Sequence, residues 1–123
     1  MIKTVAVVNV NVNDSDRSLD FFVNKIGLKV RTDFIMPDGF RWLELDLPNG
    51  GSRVAIVQNM EGEATWNKFS GIYFECDDLQ ATYEDLVSKG VAFNTTPIQH
   101  SWGWWSQFED PDGNIFGLYG AVK

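Results

Sequence analysis

The sequence predicts an α+β protein made of two tandem βαβββ modules, and three observations carry that prediction. A β-rich segment, an acidic cap and an apolar helix closed by glycine occur twice within 123 residues. Each copy is followed by three more strand-like segments. The last two of these are joined by related turns, Leu47-Pro48-Asn49-Gly50 in one half and Asp110-Pro111-Asp112-Gly113 in the other. Such a duplication organises the whole chain, and the length fits one domain of about 100–150 residues.

In the first half, Val5-Ala6-Val7-Val8-Asn9-Val10-Asn11-Val12 reads as a strand by its β-branched content, and Asn13-Asp14-Ser15 as a helix cap. Leu19, Phe22, Val23 and Ile26 recur at helical spacing, with Gly27 where a left-handed C-terminal cap belongs. Strands are expected at about 28–36, 40–47 and 53–58. Pro37-Asp38-Gly39 turns the chain between the first two, since Pro sets φ and Gly accepts positive φ. Asn59 to Asn67 lacks periodicity and separates module 1, about 1–58, from module 2, about 68–123.

Module 2 opens with Gly71-Ile72-Tyr73-Phe74-Glu75-Cys76 and is capped by Asp77-Asp78. Its helix carries Leu79, Tyr83, Leu86 and Val87 and closes at Gly90. Strands follow at about 91–95, 102–109 and 114–120. The repeat sets Trp42 opposite Trp105 and Glu44 opposite Gln107.

Composition excludes several classes. With 10 Lys and Arg against 17 Asp and Glu, the chain carries a formal charge of −7 and has no basic stripe, so the main electrostatic term for nucleic acid is missing. The same balance tilts towards cationic small molecules. Cys76 is the sole cysteine, which rules out an internal disulfide and four-thiolate zinc sites and suits a reducing compartment. No run of about 18 apolar residues is present, and the start Met1-Ile2-Lys3-Thr4 does not read as an export signal. The expectation is a cytoplasmic protein with neither membrane nor nucleic-acid partner.

The run Asn13-Asp14-Ser15-Asp16-Arg17-Ser18-Leu19-Asp20-Phe21-Phe22, then Ile26-Gly27-Leu28, and near the end Asp110-Pro111-Asp112-Gly113-Asn114, resembles the vicinal oxygen chelate superfamily. That superfamily contains glyoxalases, extradiol dioxygenases, fosfomycin-resistance enzymes and bleomycin-binding proteins, and the resemblance spans nearly the whole chain. It implies two modules forming a curved mixed sheet around a cleft, helices on the outer face, commonly as a homodimer.

Alternation separates the two faces of each strand. Ala6, Val8, Val10 and Val12 form an apolar face that belongs under the helix, leaving Val7, Asn9 and Asn11 on the other. Ile72, Phe74 and Cys76 oppose Gly71, Tyr73 and Glu75, and Leu43, Leu45 and Leu47 oppose Phe40, Trp42, Glu44 and Asp46. By the repeat, Gly103, Trp105 and Gln107 share the second class. An open sheet face in water would show the same alternation; the resemblance favours a cleft.

Enzymes of the superfamily hold a divalent metal with His, Glu or Gln near the starts of the first and fifth strands and on the last strand of each half. Residue by residue, those positions are Val7, Gly71 and Gly117, with the fourth falling within Val54 to Ile56. Valine and glycine side chains donate nothing to a metal that needs about three protein donors. His100, the sole histidine, is expected in the loop before the seventh strand, partly exposed. No cofactor, metal ligand or catalytic residue is assigned. Glu44 and Glu75 are read as solvated carboxylates in preference to an acid–base pair.

Ser101-Trp102-Gly103-Trp104-Trp105 places indoles on both faces of one strand. Trp102 and Trp104 are expected to pack under a helix or at a module interface, whereas for Trp105 and its mate Trp42 the pattern leaves packing and ligand contact equally open. Trp42, Trp105, Tyr73, Glu44, Glu75, Asn9, Asn11 and Gln107 are the candidate ligand-binding residues, suited to a planar, aromatic, preferably cationic guest. This looks like the drug-sequestering branch of the superfamily. The alternatives are a lyase-like or dioxygenase-type enzyme with a non-standard metal site or none, and an interaction module without a ligand.

Overall fold

In the computed structural model, which describes residues 1–59 and 68–122, the alternating valines form β1 (Val7–Val12). Val10 and Val12 are buried, and Asn9 and Asn11 are exposed. Asp14 starts α1 (Ser15–Asp20) by accepting from the Asp16 and Arg17 amides at 3.0 and 3.2 Å. A carboxylate there satisfies amides that the first turn leaves without carbonyl partners, and it meets the positive end of the helix dipole. The helix runs on as a π-helical segment (Phe21–Ile26) that stops at Gly27, φ 95°. Then come β2 (Lys29–Ile35), β3 (Arg41–Asp46) and β4 (Arg53–Gln58). The sheet order is β1-β4-β3-β2, with β1 parallel to β4 and the other pairs antiparallel.

The second half repeats this. β5 (Lys68–Cys76) leads to Asp78, whose side chain accepts from the Ala81 amide at 3.2 Å and caps α2 (Leu79–Ser88). β6 (Ala92–His100), β7 (Gly103–Glu109) and β8 (Asn114–Gly120) follow, in the order β5-β8-β7-β6 with the same pattern of directions. The chain divides into two compact units, Met1–Ala64 and Thr65–Lys123, each holding one module. The connector expected at 59–67 lies, apart from Asn59, outside the described residues.

The repeat also explains the π-helical segment. Phe22 and Leu86 both lie eight residues after their caps. Their carbonyls accept from the first amide beyond each glycine, Leu28 at 2.9 Å and Val91 at 3.0 Å. Gly90 lies four positions after Leu86, but Gly27 lies five positions after Phe22. The additional residue is absorbed as a wide turn, with the Gly27 amide bonding the Phe22 carbonyl five residues back.

Each module has its own core. In the first, Phe22, Leu43, Leu45, Val54 and Ile56 are almost fully buried. In the second, Phe74, Phe108 and Phe116 form a ring cluster with centroids 5.4–6.0 Å apart, and Tyr83 meets Phe93 edge-on at 4.7 Å. Aromatic packing of this kind contributes beyond simple area burial.

Several expectations are corrected. Leu19 and Val23 are only half-buried and border an open groove with Asp16, Asp20, Asn24 and Val30. The buried stripe of the first helix is Ser15, Ser18, Phe21 and Phe22, because α1 packs on β4 closely enough for the Ser15 amide to reach Gln58 Oε1 at 3.0 Å. Small side chains permit that approach. The sixth strand extends to His100 despite Pro97, because β6 is a sheet edge where a missing N–H costs no ladder bond. His100 is therefore on a strand and not in a loop. Trp102, expected to be packed, is 61% exposed in the β6–β7 turn, while Trp104 is half-buried.

Candidate ligand-binding site

Strand register places the candidate residues in rows. In the first unit Asn9 pairs with Ala55, Ala55 with Glu44, and Glu44 with Thr32. In the second, Tyr73 pairs with Gly117, Gly117 with Gln107, and Gln107 with Thr95. The rows are counterparts, so Ala55 is the first-half equivalent of Gly117. One step along the same faces, Asn11 lies beside Val57 and Trp42 beside Phe34. In the second unit, Glu75, Tyr119, Trp105 and Ile98 form the next row.

In the first unit the polar residues differ in availability. Glu44 is buried, 8% exposed, and its Oε1 accepts from Arg53 Nε at 3.1 Å. It is thus neither a solvated carboxylate nor an uncompensated charge. Asn9 and Asn11 are exposed, and Trp42 is half-buried with Phe40 tilted against it at 6.5 Å. Nearby, Arg41 reaches Asp33 through two bonds of 2.8 Å and Asp16 of α1 at 2.7 Å, tying the helix to the β2–β3 hairpin. The guanidinium holds the Asp33 carboxyl below the usual range, and the two carboxylates raise the Arg41 value.

In the second unit the face is aromatic. Phe69 and Tyr73 lie 5.1 Å apart. His100 stacks on Trp102 at 5.1 Å and 6°, and meets Trp105 edge-on at 5.9 Å. Tyr73 is 56% exposed, Trp105 and Gln107 are half-buried, and Glu75 is exposed. Gly117 is buried; a methyl carbon placed on it would fall 2.5 Å from Tyr73 Cδ1 and 3.2 Å from Trp105 Nε1. The aromatic rings therefore occupy the space that a side chain at this position would take.

Beneath that row, the turn before β8 is held by Asp110. Its carboxylate accepts from the Asp112 and Asn114 amides and from Asn114 Nδ2 at 3.0, 2.8 and 2.8 Å. Burial outweighs these bonds and raises the Asp110 value. Gly113, φ 83°, closes the turn with its amide on the Asp110 carbonyl at 3.1 Å. This anchoring sets where β8, and hence Gly117, begins.

The residues present do not fit the divalent ion that the resemblance implies. Val7 and Ala55 carry no donor atoms, and Gly117 is covered by Tyr73 and Trp105. Gly71, φ 82°, falls within a register shift of β5. Among the described residues, no cluster of three or more His, Cys, Asp or Glu is placed to hold a metal.

Sequence reasoning missed Arg53, Phe69, Tyr119 and the His100–Trp102 stack. Tyr119 was within reach, two residues beyond Gly117 and so on its face. Arg53 was not, since its guanidinium reaches Glu44 across the β3–β4 pair, two residues from Ala55, the register partner of Glu44.

Comparisons with known proteins follow the same architecture. The uncharacterized protein YetH of Bacillus subtilis (strain 168) is 34% identical over 118 residues, covering 96% of this chain and 98% of YetH. A crystal structure of a member of the Glyoxalase/bleomycin resistance protein/dioxygenase superfamily from Sphaerobacter thermophilus DSM 20745 superposes with TM-score 0.88 at 28% identity, covering 97% and 98% of the two chains. TnmS3, an antibiotic binding protein from Streptomyces sp. CB03234, superposes with TM-score 0.84 at 27% identity, covering 98% of each. No helix among the described residues is long and apolar enough to cross a membrane. With its duplicated βαβββ units, and with a match to the family model over residues 4–118, the chain belongs to the Glyoxalase/Bleomycin resistance protein/Dioxygenase superfamily.

Proposed function

We propose that this protein binds a small planar aromatic molecule without transforming it, in the manner of drug-sequestering members of its superfamily. The observation that carries this reading is the aromatic face of the second unit, where Tyr73 and Trp105 converge over Gly117, at a superfamily metal position, and His100 meets Trp105 edge-on. The Tyr73 and Trp105 rings offer stacking and cation–π attraction, and the His100 imidazole is stacked on Trp102 with no cluster of metal-ligating residues around it among the described residues. Likeness to an antibiotic binding protein at 27% identity over 98% of the chain supports the same reading. A cationic preference rests on Glu75, exposed in the Trp105 row, since Glu44 is already compensated by Arg53. Gln107, in the Tyr73–Gly117 row, supplies a polar contact in this reading, and Trp42, Asn9 and Asn11 are proposed as ligand contacts of the first unit. The single vicinal oxygen chelate domain over 1–123, the homodimer and the cytoplasmic location belong to the proposal as well, and sedimentation of the purified chain tests the dimer.

The direct test is quenching of tryptophan fluorescence by a panel of neutral and cationic planar aromatics, ethidium and acridine among them. Saturable quenching that Trp105→Ala weakens at least tenfold is the expected result. A panel without response, or one to which the variant responds like the parent, overturns the proposal. Turnover of a bound aromatic would replace it with an enzymatic reading.

A further inference from the structure

Trp105 Nε1 is buried and has no hydrogen-bond acceptor among the described residues. Buried polar groups are almost always paired, so such a donor calls for a reason. The neighbouring geometry supplies one. The indole nitrogen lies 3.2 Å from where a Gly117 Cβ would stand, and the Tyr73 ring lies over the same spot, its Cδ1 and Cε1 at 2.5 and 2.9 Å. No other residue type at 117 would let ring and indole edge converge so closely.

Tyr73 is also free to leave. It is 56% exposed, whereas its neighbour Phe74 is in the aromatic core. Rotating it outwards would uncover a flat floor of Gly117 backbone, with Gln107 beside it in the row and the indole N–H at its edge. An indole N–H only donates, so the partner must be an acceptor. Glu75 in the adjacent row and the formal charge of −7 disfavour an anionic one. A neutral oxygen carried on a ring remains.

We propose that Gly117, Tyr73 and Trp105 form a gated subsite for an aromatic ligand that carries an uncharged carbonyl group. The ligand ring replaces the Tyr73 ring on Gly117, and its carbonyl oxygen accepts from Trp105 Nε1–H. The subsite rests on the aromatic-binding reading and deepens it by naming the ligand's functional group.

The experiment compares 9-fluorenone with fluorene, the same skeleton with C=O or CH2, by equilibrium dialysis against the parent chain, Trp105→Phe and Tyr73→Ala. Trp105→Phe keeps a ring and loses the N–H; Tyr73→Ala removes the gate and keeps the donor. The parent should prefer fluorenone about tenfold, the scale of one hydrogen bond to a buried donor. Trp105→Phe should abolish the preference, and Tyr73→Ala should keep it while tightening both probes. In ¹H–¹⁵N spectra the Trp105 indole proton should move downfield with fluorenone and not with fluorene. Equal binding of both probes by the parent, or a preference that survives in Trp105→Phe, overturns the subsite and leaves aromatic binding standing. Failure of both probes to bind overturns the subsite and the proposed function together.

Discussion

Removing Arg53 should cost more than neutralising its partner, although both changes break one ion pair. The Glu44 side chain is 10% exposed and that of Arg53 is 30% exposed, with Nε–Oε1 at 3.1 Å. Arg53→Met strands a carboxylate with little access to water. A fully buried pair broken this way costs about 3–5 kcal/mol, and the partial exposure of Arg53 lowers the expectation to about 2–3 kcal/mol. Glu44→Gln leaves a neutral oxygen that still accepts from Nε, and a guanidinium that water reaches, so about 1 kcal/mol is expected. In the double variant the stranded charge no longer exists, and the two costs should fall short of additivity by about 1–2 kcal/mol. Urea unfolding of the four proteins, followed by circular dichroism at neutral pH, measures all three quantities. Equal costs for the two single changes, or additive ones, would refute the assignment of Glu44 as a buried charge held by Arg53.

Asp110→Ala strips acceptors from two backbone amides and one side-chain amide in a buried turn; about 3 kcal/mol of stability should be lost, and Asp110→Asn should lose less. Deleting Asn24, an exposed residue in the π-helical segment, should convert that segment to an ordinary helix and yield a folded protein, because α2 spans the same cap-to-glycine path with one residue fewer; loss of cooperative thermal unfolding would count against it. The Asp33 carboxyl is held below its ordinary range by Arg41, so its contribution is present above about pH 4 and fades as pH falls through the lower folded-state value. Arg41→Gln should therefore lose less stability on acidification than the parent, as read from urea midpoints measured between neutral and acid pH.

The duplication made most of the fold legible. Asp14, Gly27, Asp78 and Gly90 punctuate the helices because caps and left-handed termini are local demands that few residue types meet. The alternation in β1 separated Val10 and Val12 from Asn9 and Asn11 correctly. The first helix was less legible, since its wide turn and its close packing on β4 put Ser18 and Phe21 inside. Trp102 was misjudged because exposure of an aromatic in a turn depends on what stands over it, which no periodicity reports, and His100 was assigned to a loop because only the sheet order shows that β6 is an edge where Pro97 is tolerated.

The sequence by itself determined the βαβββ order, the turns and the lack of donor side chains at Val7, Gly71 and Gly117, because each depends on one residue's chemistry or on neighbours along the chain. Tertiary structure alone decided that Ala55 matches Gly117, that Glu44 is buried against Arg53, and that Tyr73 and the Trp105 indole edge meet over a glycine. Those facts follow from strand register and burial, which bring together residues far apart in sequence.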